Sequence, residues 1–230
     1  MLKDGRAIAS IAQGSLSQRA YSVLRDGLIN GHFRPGQRLV MQDLADQLGT
    51  SITPVREACM RLVSEGGLQL RSGRFAIVPP MTLDRYMEVR LMRLELEGLA
   101  AEIAAKKATP EDLARLHEIH PLYTAADKPD LPEEAFRLNR EFHFAVYGMS
   151  RLPMLVSHIE SLWTSMGPML TIFFIRGRRT YYGADTHKQV IERIEAGDGA
   201  GARDAIRRDI MAGGVDFIRF LEEENEITVP

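Results

Sequence analysis

The sequence predicts a mainly α-helical protein built from two modules, and three observations carry that prediction. Apolar residues recur at helical spacing over most of the chain. The alternating, strand-like pattern is confined to one short stretch, Leu68 to Val78. Charge also divides near residue 80. Residues 1–80 hold ten Lys/Arg against six Asp/Glu, and the remainder nineteen against twenty-five, so a basic module of +4 precedes an acidic one of −6.

Residues 1–14 show no clear period and are expected to form a flexible arm. Ser15 or Ser17 then caps a helix running to about Asn30, with Leu16, Ala20, Val23, Leu24 and Leu28 on its apolar face. Asn30-Gly31 ends it, and Arg34-Pro35-Gly36 makes a turn. Leu39 leads into a short helix, Met41–Leu48, whose Leu44, Ala45 and Leu48 face inward. A turn centred on Gly49 follows, and a second helix spans about Thr53 to Glu65 with Pro54 at its first position, where a missing N–H is harmless. Val55, Ala58, Cys59, Leu62 and Val63 form its buried stripe, while Thr53, Arg56 and Met60 project from the other side. Leu68–Arg71 and Arg74–Val78 read as two strands about a Ser72-Gly73 turn, and Pro79-Pro80 opens a linker over 79–82.

The stretch Gln42–Glu65 has the layout of a helix-turn-helix, and the hairpin after it makes residues 15–78 a winged one, a unit shaped to read DNA. Ser51 and Thr53 stand at the positive end of the second helix, where hydroxyls and free N–H groups bind phosphate. Arg56, one turn in, reaches a base edge or a phosphate, or equally pairs with a neighbouring acid. Arg71 and Arg74 flank the wing tip at Gly73, placed for a phosphate or minor-groove contact.

Thr82 caps a long helix, Leu83–Lys107, with Met87, Leu91, Leu94, Leu99 and Ile103 expected inside. Further helices are expected from Pro110 and over 133–147, 153–175, 184–196 and 199–222. Together they form an all-α bundle of six or seven helices over 83–222, followed by an acidic tail at 223–230. Polar residues on its apolar helices are the site candidates. Asn139 and His143 share one helix face, His187 opens a later helix, and Asp209 sits among Ala205, Ile206 and Ile210. Imidazoles with oxygen ligands from several helices suit a divalent Zn, Ni or Mn ion, although ordinary polar residues are the simpler reading of the spacing alone. Arg93, and more weakly Arg90, is a candidate carboxylate clamp; pairing of Arg93 with Glu97 is the equal alternative.

No apolar run is long enough to span a bilayer, and the N-terminal residues lack the continuous apolar stretch of a secretory signal. Cys59 is the single cysteine, so no intrachain disulfide forms and a cytoplasmic location is expected.

Residues 16–78 resemble the winged helix of GntR-type transcription regulators, through Gly31, Pro35-Gly36, Leu39, Leu44-Ala45, Leu48-Gly49, Ser51, Thr53 to Ala58, Leu62 and Glu65-Gly66. The resemblance implies DNA contacts by Ser51, Thr53, Arg56 and the Gly73 tip. Ile52 stands where the family usually has Arg, which removes one polar contact. Residues 82–222 are similar to the FCD effector domain of the FadR-like branch, through Arg93 with Leu96 to Ala101, Phe142-His143, His187 with Val190-Ile191, Gly197-Asp198 and Ala205. Many such domains hold a metal with an Asp and three His, and the metal binds a small organic acid. The Asp position falls on Asn139, two His positions on His143 and His187, and the third on Asp209, so two of four ligands differ and a metal-free pocket is also open. The reading is a ligand-responsive homodimeric regulator, by default a repressor, on a short palindromic operator. The rivals are a helical metal-dependent hydrolase with an appended DNA module and a ligand-free architectural DNA binder. For the hydrolase, the sequence offers no Ser or Cys nucleophile motif, no phosphate-cradling Gly loop and no His-Glu-x-x-His.

Overall fold

The computed structural model of the chain describes residues 16–177 and 180–227, with side chains to residue 223. The expected N-terminal arm and a cap at Ser15 lie outside those residues. The element order is α1 (Leu16–Ile29), β1 (Arg38–Val40), α2 (Met41–Gln47), α3 (Ile52–Ser64), β2 (Gln69–Ser72) and β3 (Phe75–Ile77), then α4 (Leu83–Lys107), α5 (Pro110–Ala126), α6 (Pro132–Gly148), α7 (Pro153–Arg176), α8 (Ala184–Glu195) and α9 (Gly199–Ile227).

The N-terminal module is three helices and a three-stranded antiparallel sheet of order β1-β3-β2. Its core joins Leu24, Leu28, Leu44, Val55, Cys59 and Leu62 to Leu39, Ala76 and Val78 from the sheet. Gly49 takes φ +63° in the turn between α2 and α3, a conformation that a side chain would strain. The wing sits one residue later than the alternation suggests: the tight turn is Gly73-Arg74, and the register slips between Leu70 and Ser72. β1, which pairs Arg38 with Ile77 and Val40 with Phe75, was not expected, because three residues carry no readable period. On α1, Leu16 and Val23 are exposed, and Tyr21 and Gly27 take the inward places given to them.

The C-terminal module is a bundle of six helices among the described residues. Thr82 caps α4 by accepting from the Arg85 N–H, as expected. The face of α4 that is buried is not the expected one. Met87, Leu91 and Leu99 are exposed, and Leu94 and Ile103 are half-buried. The buried face is Tyr86, Val89, Arg93, Glu97, Gly98 and the alanines 100, 101, 104 and 105. Small residues win there because α9 lies close: a Cβ at Gly98 would stand 3.1 Å from Arg203 Cγ. The linker is also less free than its prolines suggest, since Met81 packs into a cluster with Tyr86, Met166, Phe173, Phe217 and Phe220. α9 continues to Ile227, so most of the stretch read as a tail is helical. Among the described residues no helix is long and apolar enough to cross a membrane.

The two modules meet along α7. Arg25 of α1 pairs with Glu160 at 3.0 Å. Gly31, at φ +69°, leaves room for Thr171, whose Cβ would lie 2.4 Å from a Cβ added there. Gly167 lies so near the end of α1 that a Cβ would meet the Leu28 carbonyl and Ile29 Cα at 2.6 Å. Past the end of α3, Gly67 faces Thr164, and Arg85 donates to the Gly66 carbonyl.

Candidate functional site

On the N-terminal module all six residues singled out for DNA, namely Ser51, Thr53, Arg56, Arg71, Gly73 and Arg74, are exposed. Ser51 caps α3 without a side-chain hydrogen bond, and the first turn holds no acid, so its hydroxyl and the helix's leading N–H groups are unclaimed. Among the described residues the guanidinium groups of Arg56, Arg71 and Arg74 form no ion pair and no hydrogen bond, while the Arg74 backbone N–H donates to the Ser72 hydroxyl. Glu57, the nearest acid in sequence to Arg56, accepts from Ser17 instead. Arg61 is different: it is spent on Glu65, on Gln18 and over the Tyr21 ring at 3.6 Å. The Met41 N–H donates to the Arg74 carbonyl at 3.0 Å, tying the wing turn to the start of α2. Arg38, which the sequence reading missed, is a further exposed cation, stacked 3.9 Å from the Phe75 ring centroid. Ile52 is half-buried and packs on the module's core, so the position that lacks the expected arginine is partly a core position.

In the bundle, α6, α8 and α9 bring His143, His187 and Asp209 together, with ligand atoms all within 4.8 Å of one another. All three are buried. Asn139, one turn before His143, lines the same cavity. The Asp209 carboxylate faces His143 Nε2 at 3.3 Å and His187 Nε2 at 3.7 Å. It also accepts from the Tyr181 and Thr186 hydroxyls, each at 2.7 Å. Burial alone would raise its pKa, but the hydrogen bonds from His143 and Tyr181 and the nearby His187 hold it below the ordinary carboxylate range. For His187 burial wins: its pKa is pushed down to about 3, only partly opposed by Asp209, so the ring is neutral near pH 7. The ring stacks on Phe142 at 4.0 Å, and neither of its nitrogens has a hydrogen-bond partner. A buried neutral imidazole with no acceptor for its N–H and no donor for its ring lone pair is unfavourable, and a cation that takes the lone pair relieves part of that cost.

Behind these residues lies a second layer. Arg93 holds Glu97 through Nε at 2.6 Å and Nη2 at 3.2 Å. Glu97, fully buried, also accepts from Trp163 Nε1 at 2.9 Å and from the Tyr147 hydroxyl. That hydroxyl has one proton, so its 2.9 Å contact with His143 Nδ1 must be donated by the ring. With Nδ1 donating, Nε2 is the atom that faces the Asp209 oxygen at 3.3 Å: a proton on it makes the hydrogen bond to Asp209, and without that proton its lone pair is open to a cation. A divalent ion therefore suits this donor set.

The cavity has a volume of about 80 Å³ and runs from these residues past Trp163 to Tyr86, Phe173 and Phe217. Arg93 lines it, with its Nε/Nη2 edge committed to Glu97. Nη1, 3.9 Å from Met166 Sδ, remains for a single contact. Arg90 does not line the cavity; it reaches the Met211 carbonyl at 3.4 Å. The hub formed by Glu97, Tyr147 and Trp163, and the Tyr181 and Thr186 hydroxyls on Asp209, escaped the sequence reading. The one available signal was an acid four residues after Arg93, which looks the same as a surface pair.

Comparison with known proteins agrees with both modules. A family described as bacterial regulatory proteins, gntR family, matches residues 16–78, and the FCD domain matches residues 88–212. The HTH-type transcriptional regulator McbR of Escherichia coli (strain K12) is 41% identical over 157 residues, which is 68% of this chain and 71% of that protein. The solved structure of E. coli McbR/YncC aligns with a TM-score of 0.79 at 32% identity, covering 93% of this chain and 100% of that one. A putative transcriptional regulator GntR from Rhodococcus sp. RHA1 aligns at 0.70 with 21% identity, covering 88% and 97%, a likeness of fold alone.

The hub generates a stability prediction. Replacing Glu97 by Leu strands the buried Arg93 guanidinium and should destabilise the bundle by roughly 3–5 kcal/mol. Calorimetric and denaturant unfolding of the full chain would check it, and a loss below about 1 kcal/mol would show that Arg93 needs no buried partner.

Proposed function

The chain belongs to the GntR family of bacterial regulatory proteins and carries an FCD domain, so it is a DNA-binding transcription regulator, and we propose that it is a homodimeric, metabolite-responsive repressor. The observation that carries the responsive part is the buried meeting of His143, His187 and Asp209 at one end of a cavity, with orphaned His187 nitrogens.

On the DNA side, Ser51 and the leading amides of α3 take a phosphate, Thr53 and Arg56 face the major groove, and Arg71 and Arg74 of the wing follow the backbone. A second copy doubles the grip and imposes a palindrome on the operator. An exposed apolar strip supports the dimer. Met87 and Leu91 of α4 are 40% and 64% exposed, and Met211 and Val215 of α9 are 49% and 54% exposed. Arg90, beside Leu91, touches the Met211 carbonyl, so the two helices present these residues close together.

On the effector side, Asn139, His143, His187 and Asp209 would hold a divalent cation. Bound there, the cation supplies a Lewis-acid point for an effector carboxylate. Glu97 and Tyr147 fix the His143 ring, while Tyr181 and Thr186 orient Asp209. Arg93 Nη1 gives a hydrogen bond at the cavity wall. Asn139 and Asp209 weight the set toward oxygen donors.

α7 supports a route between the two sides. Trp163, Met166 and Leu170 line the cavity, and the residues beside them, Thr164, Gly167 and Thr171, press on the DNA module. Pro168 lies between and has no N–H to complete the ladder to Thr164. An effector acts only by favouring one arrangement of these contacts over another.

Three measurements test this reading. Arg56→Ala should weaken binding to a duplex selected from a random library by roughly 5- to 150-fold, the factor for one bidentate guanine contact, with circular dichroism unchanged. Wild-type affinity in fluorescence anisotropy would remove Arg56 from the interface. Tyr147→Phe deletes no ligand but frees His143, and should lower zinc affinity roughly 10- to 100-fold in chelator competition; unchanged affinity would count against the metal reading. Finally, zinc should change the wild-type protein's operator affinity by roughly 5-fold or more. Gly167→Ala, which forces α1 off α7, should bring that factor toward one while zinc uptake stays intact. Equal factors in the two proteins would disprove the α7 route.

A further inference from the structure

Within the effector reading just given, on which this rests, we infer that the ligand class is a monocarboxylate bearing a ring next to its carboxyl group. α9 writes the order of the cavity along one face. Asp209, Gly213 and Phe217 follow one another at four-residue steps, about 6 Å apart along the axis, and all three line the cavity. The first level is polar: Asp209 with His143 and Asn139 on the cavity wall, and His187 behind them. The third is aromatic. The rings of Tyr86 and Phe217 lie 4.6 Å apart and those of Phe173 and Phe217 5.3 Å apart, and all three rings border the cavity.

The middle level is a gap. Glycine inside a helix is unfavourable, and it usually persists because a neighbour leaves no room for a side chain. Gly214 is such a case, since a Cβ there would meet the Tyr86 hydroxyl at 2.7 Å. Gly213 is not. Its nearest neighbours are atoms of the Tyr181 ring at 3.5 and 3.6 Å, ordinary contact distances, and that ring lines the same cavity. Packing does not require Gly213, and the side chain it lacks leaves space between the polar and aromatic levels. A ring attached directly, or through one carbon, to a carboxylate fills that space and lies against the Phe217 wall.

Charge limits the ligand to one carboxylate. Arg93 is the only Lys or Arg among the described residues bordering the cavity, and Glu97 already neutralises it. Asp216, also on the wall, is occupied by the Thr180 and Tyr181 N–H groups, the Thr180 hydroxyl and Arg219. A second anionic group near the aromatic level would meet no free cation and one carboxylate.

The test is calorimetric titration of the full-length, zinc-loaded protein with acetate, benzoate, cyclohexanecarboxylate, malonate and gluconate. Benzoate and cyclohexanecarboxylate should bind at least about 10-fold more tightly than the other three. Gly213→Leu should erase that advantage while acetate affinity and zinc stoichiometry stay unchanged, and the milder Gly213→Ala should reduce it. Malonate or gluconate binding more tightly than benzoate, or a Gly213→Leu protein with wild-type benzoate affinity, would overturn the inference and leave the effector reading standing. Failure of every carboxylate, acetate included, to bind zinc-loaded protein would sink the effector reading and this inference together.

Discussion

The bundle is organised around a charge that cannot reach water. Glu97 is completely buried in the middle of α4, and an ionised carboxylate in that position is tolerable only if its oxygens are saturated. Arg93 supplies two donors from the same helix, Tyr147 one from α6 and Trp163 one from α7. Three helices are thereby held in a fixed rotation about one point. The requirement extends further, because the Tyr147 proton used on Glu97 cannot also serve His143. The His143 ring must donate from Nδ1 and present Nε2 to Asp209. The tautomer and direction of a candidate ligand are set from two residues away by the need to satisfy a buried acid.

The N-terminal module was legible because its signals are local. Gly49 at a turn and Arg56 opposite the Val55, Ala58 and Cys59 stripe can each be read within a few residues, and the structure agrees with both; Pro54 lies in the first turn as its third residue rather than its first, because α3 begins at Ile52. The bundle was legible in its helix count and poorly legible in its faces. On α4 the larger apolar residues Met87 and Leu91 lie outside, and Ala100, Ala101, Ala104 and Ala105 lie inside. Hydrophobicity ranks these the wrong way round, because close approach of α9 selects for small size rather than apolar area. The Arg93–Glu97 pair was readable from its four-residue spacing, but the burial of Glu97 was not: its partners Tyr147 and Trp163 are 50 and 66 residues away, and only the tertiary fold brings them to it. His143, His187 and Asp209 were nameable through family resemblance, whereas spacing alone favoured ordinary polar residues.

α7 carries the functional argument because it has no neutral face. Over the eight residues from Trp163 to Leu170 it alternates between cavity wall and module contact. On the module side the contacts are close enough that glycine is required at Gly31, Gly67 and Gly167. Packing this tight resists gradual deformation; it holds one arrangement or shifts to another. On the proposed route, a ligand that displaced Met166 or Leu170 by a fraction of an ångström would meet no loosely packed layer before Leu28, Ile29 and the end of α3. Pro168 weakens the helix at that level, since the Thr164 carbonyl lacks its usual N–H partner there. The stiff contacts toward the DNA module and the soft point in the helix fall within one turn of each other, which is the arrangement the proposed α7 route requires.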